Sequence, residues 1–153
     1  MIRKATQKDT DSILSLLLQV DMVHHNLRPD LFKGPATKYT AQELNLILND
    51  ENTPVFVYEE NGEILGYIFL IIKQIKDNVL TDIKTLYIDD LCVDENRRGE
   101  KIGEKLYNFA LDFAKSNLCY NLTLNVWACN KGAMKFYEKM GLCPQKIGME
   151  KII

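Results

Sequence analysis

Leu91-Cys92-Val93-Asp94-Glu95-Asn96-Arg97-Arg98-Gly99-Glu100-Lys101-Ile102-Gly103 is the stretch on which the reading of this chain turns. It opens as the end of an apolar strand, passes through a polar turn, and enters a segment in which Ile102, Leu106, Phe109, Ala110 and Phe113 recur at helical spacing. A helix that begins there presents unpaired backbone N–H groups and the positive end of its dipole, which together favour a phosphate. Gly99 and Gly103 let that backbone come close to a ligand, and Arg97, Arg98 and Lys101 add positive charge. On shape alone a phosphate cradle and a plain solvated turn account for the stretch equally well.

Outward from this junction the pattern is strand and helix in alternation. Upstream, Leu86 to Val93 forms the strand itself. Before it, Val55 to Tyr58 and Ile64 to Ile72 flank Asn61-Gly62, a strong hairpin signal because both residues tolerate positive φ. Nearer the N-terminus, Ile2 to Ala5 alternates as a short strand, and Thr6 with Asp9 reads as a cap pair. The apolar stripe Ile13, Leu16, Leu17, Val20 and Val23 then marks one helix face, ending before Pro29. Thr40 and Glu43 make a capping box for a second helix that buries Leu44, Ile47 and Leu48, after a loop from Leu27 to Lys38. Downstream, Leu122 to Trp127 is expected as a strand, Ala133, Phe136, Tyr137 and Met140 as a helix face, and Gly148 to Ile153 as a final strand. The resulting order is β-α-α-β-β-β-α-β-α-β, a mixed sheet with helices on its faces in a single domain over residues 1–153.

Composition narrows the function classes. The 153 residues are 46% hydrophobic and 26% charged, the proportions of one compact soluble domain. The longest apolar run falls well short of the roughly 20 residues that cross a membrane, and the N-terminus lacks a secretory pattern, so a cytoplasmic protein without a membrane partner is expected. A net charge of −2 disfavours nucleic acid as a partner. The cysteines Cys92, Cys119, Cys129 and Cys143 form no C-x-x-C pair, and with only His24 and His25 beside them no metal site is expected. Nothing in the sequence lowers the pKa of Cys92 or Cys129, so neither is read as a nucleophile. The two histidines read as a surface pair at a helix end, and Trp127 as core.

Two segments resemble the GCN5-related N-acetyltransferases. The first, Arg98-Gly99-Glu100-Lys101-Ile102-Gly103, is similar to that family's Arg/Gln-x-x-Gly-x-Gly/Ala cofactor motif, with Lys101 where glycine is usual. A helical φ at Lys101 is expected. The second, Asn130-Lys131-Gly132-Ala133 through Tyr137 to Gly141-Leu142, resembles its Asn-x-x-Ala-x-x-x-Tyr-x-x-x-Gly-Phe signature, with leucine for the last aromatic. The resemblance covers nearly the whole chain and implies a central sheet of about six to seven strands with about four helices.

What it implies for function is acetyl transfer from acetyl-CoA to an amine acceptor, a small molecule or a peptide, by direct attack in a ternary complex. Carried over by position, Leu91, Cys92 and Val93 line the pantetheine arm and offer an oxyanion donor, while Arg98 to Gly103, with Gly99, Glu100, Lys101 and Ile102 between them, hold the pyrophosphate. Tyr137 takes the general-acid position, and Asn130 contacts the cofactor or caps its helix. Asp89 and Asp90 resemble the acidic pair of polyamine-acetylating relatives, with Asp89 ahead as base. A carboxylate of pKa about 3.9 is a weak base for an ammonium of about 10, so a water relay or a purely orienting role stands beside direct abstraction. Exposed strand edges often pair in this family, which allows a homodimer. A non-catalytic acyl-CoA-binding or sensing module on the same fold is the alternative.

Overall fold

The computed structural model describes residues 1–153. Its strands are β1 (Ile2–Lys4), β2 (Val55–Glu60), β3 (Glu63–Gln74), β4 (Lys84–Val93) and β5 (Asn121–Leu124), and its helices are α1 (Thr10–Leu27), α2 (Ala41–Asn49), α3 (Ile102–Ser116) and α4 (Lys131–Lys139). The capping box at α2 forms as the sequence implies: Glu43 N donates to Thr40 Oγ1 at 3.2 Å and Thr40 N donates to Glu43 Oε2 at 2.8 Å. Asn61 and Gly62 take φ values of 52° and 82°, and the β2–β3 hairpin closes over them.

The five strands lie in sequence order, β1-β2-β3-β4-β5. All pairings are antiparallel except β4 with β5, which is parallel and reached by the α3 crossover. Apolar alternation covers both sheet faces. On one face α1 and α2 bury Ile13, Leu16, Leu17, Leu44 and Leu48 against Val55, Val57, Tyr67, Phe69 and Cys92. On the other, α3 buries Ile102, Leu106 and Ala110 against Ile68, Leu70, Leu86 and Ile88.

Three expectations are corrected here. Residues 148–153 form no strand, so the sheet has five strands rather than six or seven; Ile147 is 75% and Met149 89% exposed. Gly148 weakens strand pairing in that segment, as Pro144 does just before it, and Glu150 is held by Arg28 of the loop after α1, at 2.9 Å. Strand β5 stops at Leu124 instead of reaching Trp127, because its partner β4 pairs with it only as far as Ile88. Trp127 is consequently 49% exposed and not core; its ring meets Phe32 edge-on at 5.0 Å.

Candidate active site

Strand β4 carries a bulge. In its ladder with β3, Phe69 pairs with Asp90 and Leu70 with Ile88, which leaves Asp89 as the extra residue. The inserted residue inverts the alternation: Leu86 and Ile88 face α3 before it, whereas Leu91 and Val93 do so after it. Asp90 now shares the α1–α2 face with Cys92 and Tyr67, and Asp89 is met from that same side by the loop preceding α2. Both acids of the expected pair therefore sit on one face of the sheet.

Beyond Ile88 the β5 side of β4 is open. Asp94 N donates to Leu65 O at 2.9 Å, so Asp94 belongs to a hydrogen-bonded pair with β3. Antiparallel alternation then commits the backbone of Cys92 to β3 and turns the N–H and C=O groups of Leu91 and Val93 toward the split between β4 and β5. The thiol of Cys92 is buried 3.6 Å from Leu16 O, and desolvation pushes its pKa up to about 12, which keeps it protonated and unreactive.

At the end of the split, none of the backbone N–H groups from Arg98 to Glu104 donates to an acceptor in the chain. The turn that frees them depends on positive φ at Gly99 (89°) and, unexpectedly, at Lys101 (61°). Lys101 is the N-cap of α3 in left-handed geometry, which corrects the expectation of a helical φ and explains why glycine is the usual residue there. Arg97 is tied to Glu60 and Glu100, while the exposed Arg98 and Lys101 carry no ion pair. Of the expected cradle residues, Glu100 thus serves Arg97, Ile102 is core, and Gly103 makes room for Phe136 of α4, 3.3 Å from where a Cβ would stand.

Tyr137 on α4 lies within electrostatic reach of Asp90 on β4. Burial raises its phenol pKa, and the nearby charge of Asp90 raises it further, so it stays protonated. Every fully buried polar side-chain atom in the chain has a hydrogen-bond partner; the Tyr137 hydroxyl has none and therefore reaches solvent. Asn130 caps α4 by accepting from Ala133 N at 3.1 Å, and its amide nitrogen lies 3.5 Å from His24 Nε2. His24 stacks on Phe32 at 5.0 Å, and burial lowers its pKa.

The two acids differ in their surroundings. Asp89 accepts from Lys38 Nζ at 2.9 Å and from Tyr39 Oη at 2.5 Å. Asp90 accepts from the neutral Tyr67 Oη at 3.1 Å, and desolvation raises its pKa against the opposing pull of the Lys38 charge. Lys38, Tyr39 and Tyr67 carry no signal of this role in the sequence, since no local pattern links a loop lysine or a mid-strand tyrosine to a carboxylate many residues away. No group of His, Cys, Asp or Glu in the fold is arranged to hold a metal ion.

A mixed sheet whose β4–β5 pairing ends beside a glycine-bearing helix N-terminus, with two acids and a tyrosine close to β4, defines an N-acetyltransferase-like α/β domain. Residues 20–142 match the sequence model of the Acetyltransferase (GNAT) family, and the chain belongs to that family. Among solved structures, a tetramutant of the BH1408 protein from Bacillus halodurans superposes with a TM-score of 0.95 at 30% identity, with 100% of this chain and 99% of that one covered. Glucosamine-6-phosphate N-acetyltransferase from Arabidopsis thaliana superposes with a TM-score of 0.72 at 27% identity over 99% of this chain and 97% of that one. In sequence the Arabidopsis enzyme is 38% identical over 68 residues, 44% of each chain. The uncharacterized N-acetyltransferase MJ1207 of Methanocaldococcus jannaschii is 26% identical over 140 residues, 92% of this chain and 59% of that one. The chain spans about half the length of these curated relatives.

Proposed function

We propose that this chain transfers an acetyl group from acetyl-CoA to a primary amine by direct attack in a ternary complex. The single observation that carries the reading is the end of β4–β5 pairing at Ile88 and Leu124, with unpaired amides from Arg98 to Glu104 beyond it and Tyr137 within electrostatic reach of Asp90. A pyrophosphate-bearing ligand suits this chain's donors: the free amides and the α3 dipole supply neutral and partial positive charge, and Arg98 supplies a full one. Leu91 and Val93 offer the strand edge that an amide-containing arm needs in order to pair. The donor, when bound, supplies an activated thioester carbonyl.

The residues of the chain then divide the proton work. An amine acceptor arrives as an ammonium ion and attacks only after losing a proton. Asp90 is better suited to accept it than Asp89, because desolvation raises its basicity whereas Asp89 already holds a cation. As the C–N bond forms and the C–S bond breaks, negative charge grows on sulfur, where the Tyr137 hydroxyl donates a hydrogen bond. The proton left on nitrogen passes to that sulfur, giving the amide and a free thiol. Leu91 N–H, at the first position past the bulge pair, is the donor nearest in the chain to these acids that can meet the carbonyl oxygen.

Calorimetric titration with CoA, followed by thiol release from acetyl-CoA with a panel of primary amines, tests the reading. Micromolar CoA binding and amine-dependent thiol release are expected. Binding without release on any amine would give the non-catalytic acyl-CoA-binding alternative instead.

A further inference from the structure

Lys38 and Tyr39 lie on the loop between α1 and α2, some fifty positions from β4, and both reach its bulge. Lys38 Nζ donates to the Asp89 carboxylate and to the Asp89 carbonyl oxygen, each at 2.9 Å. The same ammonium lies 5.5 Å from the centre of the Tyr39 ring, and Tyr39 Oη closes on the same carboxylate oxygen. Asp89 is thereby well covered, its side chain 15% exposed, while that of Lys38 remains 43% exposed. A primary ammonium ion of the protein itself is already seated on one of the two adjacent carboxylates.

The charge balance at this spot follows. Two adjacent acids without a resident cation would attract an acceptor carrying two positive charges. With Lys38 paired to Asp89, that acid is neutralised and Asp90, whose side-chain partner is the uncharged Tyr67 hydroxyl, is the carboxylate left for a substrate. We infer that Lys38 sets the charge class of the acceptor, fitting the site to an amine with a single positive charge and discriminating against diamines. This rests on the transferase reading for the identity of the site, but it can be measured without turnover. Lys38 acts here as a specificity-determining residue through Asp89 and takes no part in bond making.

The test uses the CoA-saturated full chain. Dissociation constants for n-butylamine and 1,4-diaminobutane are measured by calorimetry for the wild type, Lys38→Met and Lys38→Arg, with thiol release from acetyl-CoA followed in parallel. Lys38→Met is expected to move the ratio of the two constants toward the diamine by about tenfold, an effect that shrinks at high salt, and Lys38→Arg is expected to leave it unchanged. Lys38→Gln provides a second charge-removing variant should the methionine variant fold poorly. An unmoved ratio in the charge-removing variants, an equal shift in Lys38→Arg, or no amine binding to any of the proteins overturns the inference. A shifted ratio with no thiol release from these amines or from any in the wider panel keeps the role of Lys38 and removes the transferase reading instead.

Discussion

Asp90 and Tyr137 lie within electrostatic reach of each other with opposite chemical needs, and burial serves both. Raising the pKa of a carboxyl makes it a better base, and raising that of a phenol keeps its proton in place. Tyr137→Phe is expected to lower kcat by about a hundredfold with CoA affinity unchanged, since the hydroxyl is the only group removed. For Asp90 the sign can be worked through. Its folded pKa lies above the unfolded value, so the ionised form is disfavoured in the native state and stability falls as pH rises through that interval. Asp90→Asn should therefore raise Tm at about pH 8, leave it unchanged at about pH 4, and at the same time depress kcat/KM. Loss of stability at about pH 8 in that variant would show the carboxylate to be a structural anchor. Asp9 runs the other way. Its hydrogen bonds from Arg3, at 2.8 Å each, hold its carboxyl down at about 2, so its contribution is present above the unfolded pKa and lost as pH falls toward 2. Asp9→Asn should cost about 2 kcal/mol at neutral pH by denaturant titration, and the difference should vanish in acid.

Among the elements, α3 shows a local rule broken at the place where function is expected. Its N-cap is a lysine with φ of 61°, a conformation that costs an L-residue about 1 kcal/mol. Lys101→Gly should raise stability by up to about that amount, measured by chemical denaturation, whereas Gly99→Ala, at φ of 89°, should lower it. The sequence locates this turn and its glycines without difficulty, because helix onset and strand end are local signals. It does not disclose the left-handed N-cap. The bulge in β4 is likewise invisible in the string Tyr87-Ile88-Asp89-Asp90-Leu91, where plain alternation would point the two acids to opposite faces; only the ladder with β3 makes one residue surplus.

Across the whole molecule, β3 and β4 join the two cores, since each strand sends alternate side chains to both sheet faces. Leu106 of α3 is fully buried in one of them, and Leu106→Ala is expected to cost about 2 to 5 kcal/mol. Because the sheet is shared, far-UV and near-UV dichroism should report one coincident unfolding transition in that variant; two separate transitions would mean that the faces unfold independently. Most of the element order was legible in the chain because caps, turns and periodicity are short-range. The last strand was misread for the same reason. A short segment such as Gly148 to Ile153 satisfies a local strand pattern whether or not an edge receives it, and here Glu150 is held by Arg28.

By itself the sequence determined the helices, the hairpin, the phosphate-favouring turn and the likeness to a family, all of which rest on residues within a few positions of one another. The tertiary structure alone decided that Asp89 is covered by Lys38 and Tyr39, that Asp90 lies against Tyr67, and that Cys92 turns away from the split. Those outcomes depend on which groups are excluded from water together, and desolvation is a property of the packed assembly that no short stretch of chain encodes.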